Sequence, residues 1–94
     1  MTLAGTGRAR LISVVVPVYC EEAVLEETHR ELTDAMRALA AYRYELIFVD
    51  DGSTDGSRAI LRRLAEADRH LRVLGLSRNF GQQVAITAGL RAAR

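Results

Sequence analysis

The sequence has no lysine and no tryptophan, a single cysteine and a single proline. All 13 basic residues are arginine, which removes Schiff-base chemistry and the phosphate-binding lysine of a P-loop. With Cys20 alone, neither an intramolecular disulfide nor a cysteine-based zinc cluster can form, and a reducing compartment fits. No run approaches the roughly 18 apolar residues needed to span a bilayer, and the opening MTLAGTGRAR lacks the apolar core of a signal peptide. A cytoplasmic chain without a transmembrane segment is therefore expected. Charge of one sign is also missing. The 13 basic and 12 acidic residues are interspersed and leave a net charge of +1, so no basic stripe points to nucleic acid and no polybasic block to anionic lipid.

What is present is an ordinary globular composition, 49% hydrophobic and 27% charged, in a length that supports one small core. Residues 1–10 are aperiodic and read as a loose, flexible tail. From Leu11, LISVVVPVY is an almost continuous β-branched run of the kind that forms a strand buried on both faces, with Pro17 marking its end. Leu25, Thr28, Leu32, Met36 and Leu39 then recur at steps of three and four, opposite charged positions that include an i,i+4 pair, Glu26 and Arg30. His29 reads as a partly exposed residue of this helix. YELIFVD repeats the strand signature, and DGSTDGS supplies turn formers and N-caps. A second helix follows, with Ile60, Leu61, Leu64 and Ala65 on its apolar face. LRVLGLS is a third strand, and RNFGQQ leads into a last helical stretch. The order βαβαβα predicts an open, Rossmann-like α/β fold with a parallel sheet over 11–94. A sheet ending there would leave its last strand uncovered, which reads as truncation.

Ligands of such sheets bind beyond the carboxyl ends of the strands, where 17–22, 50–55 and 77–83 should converge. The adjacent carboxylates Asp50 and Asp51 stand out there, because like charges resist burial together. Residues 51–56 copy the start of a calcium loop, but its twelfth place is Arg62 where a bidentate glutamate is required. A phosphoacceptor domain would need its acids after the first strand and a lysine later. GTGRAR precedes the first strand and lacks the third glycine of a dinucleotide fingerprint. What survives is a site whose carboxylates accept hydrogen bonds from a nucleobase or ribose, with Pro17 and Tyr19 as flat surfaces for the base. That combination describes a nucleotide pocket. The alternative for Tyr19 is a core tyrosine, and for Asp51 a helix cap.

ISVVVPVYCEEAVLEE, YELIFVDDGSTDGS and LSRNFGQQVAITAGL together resemble the N-terminal half of a family 2 glycosyltransferase of the GT-A fold. The likeness is to the dolichyl-phosphate mannose synthase and bactoprenyl-phosphate glucosyltransferase branch, and it covers nearly the whole chain after Arg10. It implies an inverting enzyme that moves sugar from a UDP- or GDP-sugar to a polyprenyl phosphate on the cytoplasmic membrane face. Pro17, Tyr19 and Glu21 would lie against base and ribose, Val49 and Asp51 would complete that wall, and Asp50 would orient the loop. Asn79, Phe80, Gly81 and Gln82 would line the pyrophosphate or sugar side, or form a plain loop. The resemblance further implies Mg or Mn on the diphosphate, held by a later Asp-x-Asp motif that this chain does not contain, so that the 94 residues alone would be inactive. A non-catalytic nucleotide-binding or interaction module is the alternative. Where the family usually has asparagine, this chain has Cys20, read as a small buried filler.

Overall fold

In the computed structural model, which describes residues 2–5, 11–39 and 41–94, the elements are β1 (Thr2–Gly5), β2 (Leu11–Val18), α1 (Leu25–Arg37), β3 (Arg43–Asp50), α2 (Ser57–Ala67), β4 (Leu71–Gly75) and α3 (Gln82–Ala92). The sheet order is β1-β2-β3-β4. β2, β3 and β4 are parallel neighbours, with Val14 opposite Leu46 and Leu46 opposite Leu71, so the expected parallel α/β core is observed.

The amino end differs from expectation. Thr2–Gly5 pairs antiparallel with Ile12–Val15 along the free edge of β2, while Met1 and residues 6–10 of the anticipated tail lie outside the described residues. A strand edge as apolar as β2 is a template for any extended segment nearby, and this is the physical reason TLAG is captured. Pro17 does not end its strand, because β2 continues to Val18. The Val18 carbonyl faces β3 and accepts the Asp51 N–H at 2.8 Å. Peptide groups alternate sides along a strand, so the Pro17 nitrogen faces away from β3. β1 starts at Thr2 opposite Val15, and among the described residues the missing donor therefore interrupts no ladder bond.

Alternation along the strands builds two cores. Val14, Val18, Leu46 and Phe48 meet Leu25 of α1 and Leu61 of α2 on one face, whereas Val15, Ile47 and Val49 meet Ala85 of α3 on the other. The side follows from handedness. Two right-handed crossovers advancing β2 to β3 to β4 put both helices on one face, and α3 covers the opposite one. Complete burial of Phe48 contributes roughly 1.5–3 kcal/mol. Glu26 pairs across to Arg63 of α2 at 2.6 Å, not within its own helix as its spacing suggested. Both side chains are largely exposed, which limits the pair to under about 1 kcal/mol.

A larger cavity, about 550 Å³, lies at the amino ends of the strands among Arg43, Arg69, Arg72 and Arg94. Its charges serve the fold. Glu45 is buried there and accepts from Ser13 Oγ (2.6 Å), Arg72 Nη1 (3.0 Å) and the Arg94 N–H (2.7 Å), while Arg72 also donates to the Ala92 carbonyl at the end of α3 (2.7 Å). Burial opposes ionisation of Glu45, but these donors and the Arg72 charge outweigh it and hold the carboxyl below its usual range.

Candidate functional site

The loops after β2, β3 and β4 meet at the carboxyl edge of the sheet, and the Ser, Thr and Asp residues of DGSTDGS tie them together. Ser53 Oγ accepts the Cys20 N–H at 2.9 Å and Ser57 Oγ accepts the Glu21 N–H at 2.9 Å. Asp55 accepts the Glu22 N–H at 3.3 Å, and Glu22 in return accepts the Gly56 N–H at 3.1 Å. These side chains satisfy the amides of a loop that has no ladder partner, each bond contributing about 1 kcal/mol.

The paired aspartates diverge, and that resolves their proximity. Asp50, fully buried, accepts the Ser53 N–H at 3.1 Å and Arg58 Nε at 2.6 Å, and Arg58 goes on to the Leu76 carbonyl at 2.8 Å. Asp50 thus ties the turn after β3 to the start of α2. Asp51 points the other way. Its Oδ1 accepts the Phe80 N–H at 2.8 Å, and its Oδ2 accepts the Gly81 N–H at 3.0 Å and Asn79 Nδ2 at 3.0 Å. Each carboxylate has its own set of donors, so neither relies on solvent to be buried.

Beside this arrangement lies a cleft of about 380 Å³. Pro17, Tyr19 and Glu21 form one wall, Asn79, Gly81 and Gln82 the other, and Asp51 lies between them. The cleft therefore gathers Pro17, Tyr19, Glu21, Asp51 and Gly81 from three separate stretches of sequence. Tyr19 is 46% exposed, so its ring is a surface at the cleft and not part of the core. Val49 and Asp50 do not line it. Val49 packs in the core against α3, and Asp50 lies beneath the turn. Phe80, 42% exposed, carries the Arg78 guanidinium 4.6 Å from its ring centroid.

Cys20 corrects an expectation, because it is exposed and not a buried filler. Its φ of 50° lies in the left-handed region, which asparagine tolerates better than other side chains. That gives a backbone reason for the family's preference. Hydrogen bonding to Thr54, at 3.4 Å from both its Oγ1 and its N–H, holds the thiol below its ordinary range.

The residues that the sequence did not single out are Glu45 and Arg58. A lone glutamate inside an apolar strand was the available signal for the first; Arg58 carried none. Among the described residues no group of three His, Cys, Asp or Glu side chains could hold a metal ion. No helix among them is long and apolar enough to cross a membrane.

The sequence and the sheet have counterparts among known proteins. The glycosyl transferase family 2 model matches residues 13–94, and the chain belongs to that family. It is 49% identical over 78 residues to the uncharacterized glycosyltransferase YkcC of Bacillus subtilis, covering 83% of this chain and 24% of that protein. It is 44% identical over 84 residues to an undecaprenyl-phosphate 4-deoxy-4-formamido-L-arabinose transferase of Pseudomonas fluorescens, covering 88% of this chain and 24% of that one. Among solved structures, a mannosyltransferase from Pyrobaculum calidifontis in complex with GDP-Man and Mn2+ superposes with a TM-score of 0.77 at 30% identity, over 95% of this chain and 26% of that one. The fold is thus the N-terminal part of a GT-A fold, and the chain spans about a quarter of the relatives it matches.

Proposed function

We propose that these residues form the nucleotide-binding part of an inverting glycosyltransferase that takes sugar from a UDP- or GDP-sugar and delivers it to a polyprenyl phosphate at the cytoplasmic face of a membrane. The observation that carries this reading is the cleft, which brings a proline from the end of β2 and an exposed tyrosine and a glutamate from the loop after it opposite a glycine-containing turn. The relatives' names support the chemistry: one moves a sugar to undecaprenyl phosphate and another holds GDP-Man.

In this reading the Tyr19 ring packs on the base, Pro17 supports the same wall, and Glu21 accepts from ribose hydroxyls. The turn at Gly81 admits the diphosphate side, because no side chain stands there to hold it off. Val49 backs the wall from within the core. In the complete reaction an oxygen of the acceptor phosphate bonds to the anomeric carbon. The bond from that carbon to the donor diphosphate breaks, and the nucleoside diphosphate leaves with its electron pair. A divalent ion, Mg2+ or Mn2+, supplies neutralisation of that leaving charge when bound. The described residues do not make a site for it, so no step through the ion is assigned to them.

Calorimetric titration of the chain with UDP and GDP tests the proposal. One of the two should bind, and Tyr19→Ala should weaken it by about tenfold, the scale of a lost aromatic contact. Failure of both nucleotides to bind a folded chain would leave only a non-catalytic module.

A further inference from the structure

We infer that the free edge of β4, with the groove beside it, is a docking site for an extended acidic segment of a partner protein, which joins the sheet as a further strand. This goes beyond the nucleotide-binding reading and does not depend on it.

β4 is the last strand of the sheet. The His70 carbonyl accepts the Leu46 N–H and the Leu76 N–H donates to the Asp50 carbonyl, both at 2.9 Å. Peptide groups alternate sides along a strand, so Arg72 and Leu74 also turn theirs toward β3, and Leu71, Val73 and Gly75 turn theirs outward. The Leu71 N–H is taken by the Asp68 carbonyl at 3.1 Å. The N–H groups of Val73 and Gly75, and the carbonyls of Leu71, Val73 and Gly75, meet no other strand among the described residues. Such an edge is a template for strand addition unless a proline, a bulge or a covering element blocks it. β4 contains no proline and pairs with β3 residue for residue without a bulge. Nor does α2 cover its edge. A groove of about 510 Å³ lies there, lined by Arg58, Arg62, Ala65 and Glu66 of α2 and by Val73 and Gly75 of β4.

Charge selects the occupant. Arg58 lies close over Gly75, where an added Cβ would come within 3.0 Å of its guanidinium. Arg62 is exposed and has no partner among the described residues. Two arginines against one glutamate favour carboxylates on the side chains that an incoming strand turns toward α2. On its other face that strand lies beside Leu74, which packs half-buried against the second core, and an apolar side chain there extends the core. The fitting segment therefore alternates acidic and apolar residues. A second copy of β4 would turn Leu71, Val73 and Gly75 toward α2, which supplies no carboxylate, and would set one arginine-lined groove against another.

The probe is a short labelled peptide that alternates glutamate and valine. Titrated onto the chain, it should bind and slow amide exchange at Val73 and Gly75, while Arg72 and Leu74, already bonded to β3, stay unchanged. Val73→Pro removes an outward donor without touching the β3 ladder and should abolish binding. Arg62→Glu should weaken the peptide by roughly tenfold and admit a peptide that alternates arginine and valine in its place. Failure of the glutamate peptide to bind, full binding by a folded Val73→Pro, equal affinity for Arg62→Glu, or slowed exchange confined to other strands would each overturn the inference. So would protection of Val73 and Gly75 that rises with chain concentration in the absence of peptide, the mark of a second copy. If Val73→Pro does not fold, Arg62→Glu decides.

Discussion

Three residues at the carboxyl edge hold positive φ: Cys20 at 50°, Gly52 at 72° and Gly81 at 99°. Cys20 carries a side chain in a region that disfavours one, so Cys20→Asn should raise stability by roughly 0.5–1 kcal/mol, read as a higher urea midpoint at unchanged slope. The two glycines should separate strain from crowding. A Cβ at Gly52 would overlap the backbone of Arg78 and Asn79, whereas a Cβ at Gly81 would meet nothing. Gly81→Ala should therefore cost about 1–3 kcal/mol from backbone strain alone, and Gly52→Ala at least about 1 kcal/mol more. Equal midpoints for the two variants would mean that the β3 and β4 loops do not approach as closely as described. None of this was legible in the sequence, since DGSTDGS announces a turn but not which backbone lies against it.

Among the elements, β2, β3 and the three helices were legible because their apolar spacing reports burial directly: a continuous run for a strand covered on both faces, a stripe for a helix covered on one. β1 was not, because four residues of TLAG carry no period and gain their structure from the edge they meet. Nor did the sequence show what fixes the helix ends. Asp68, after α2, accepts His29 Nε2 of α1 at 2.7 Å and the His70 N–H at 2.9 Å. Burial opposes its charge, but the bonds from His29 and His70 prevail and hold its carboxyl below the ordinary value. Glu45 is held low in the same way at the end of α3. Carboxyls whose folded-state pKa is depressed contribute stability above their unfolded pKa and lose it as pH falls through the folded one. Stability should thus decline below about pH 4.5, the region of unperturbed carboxyls, and the decline should be shallower in Asp68→Asn and Glu45→Gln. Urea midpoints measured between pH 7 and pH 3 check this. A variant that starts lower at pH 7 and falls just as steeply would contradict it.

For the whole molecule, the sheet separates two ends with different work. The amino ends of the strands gather the arginines and Glu45 that fasten α3, and the carboxyl ends gather the cleft. That the cleft would form from the three loops was legible from topology alone, and the family from three ordered motifs. The division of labour between adjacent aspartates was not, because Asp51 meets partners 28 to 30 positions away. The central claim is that a nucleoside diphosphate occupies the carboxyl-edge cleft. Its most direct test is an amide chemical-shift map of the chain titrated with UDP and with GDP. One of them should move the signals of Tyr19, Glu21, Gly81 and Gln82 together, with a single saturating curve, and leave Tyr42, Arg43 and His70 at the opposite edge unmoved. Shifts confined to that opposite edge, or none with either nucleotide, would contradict it.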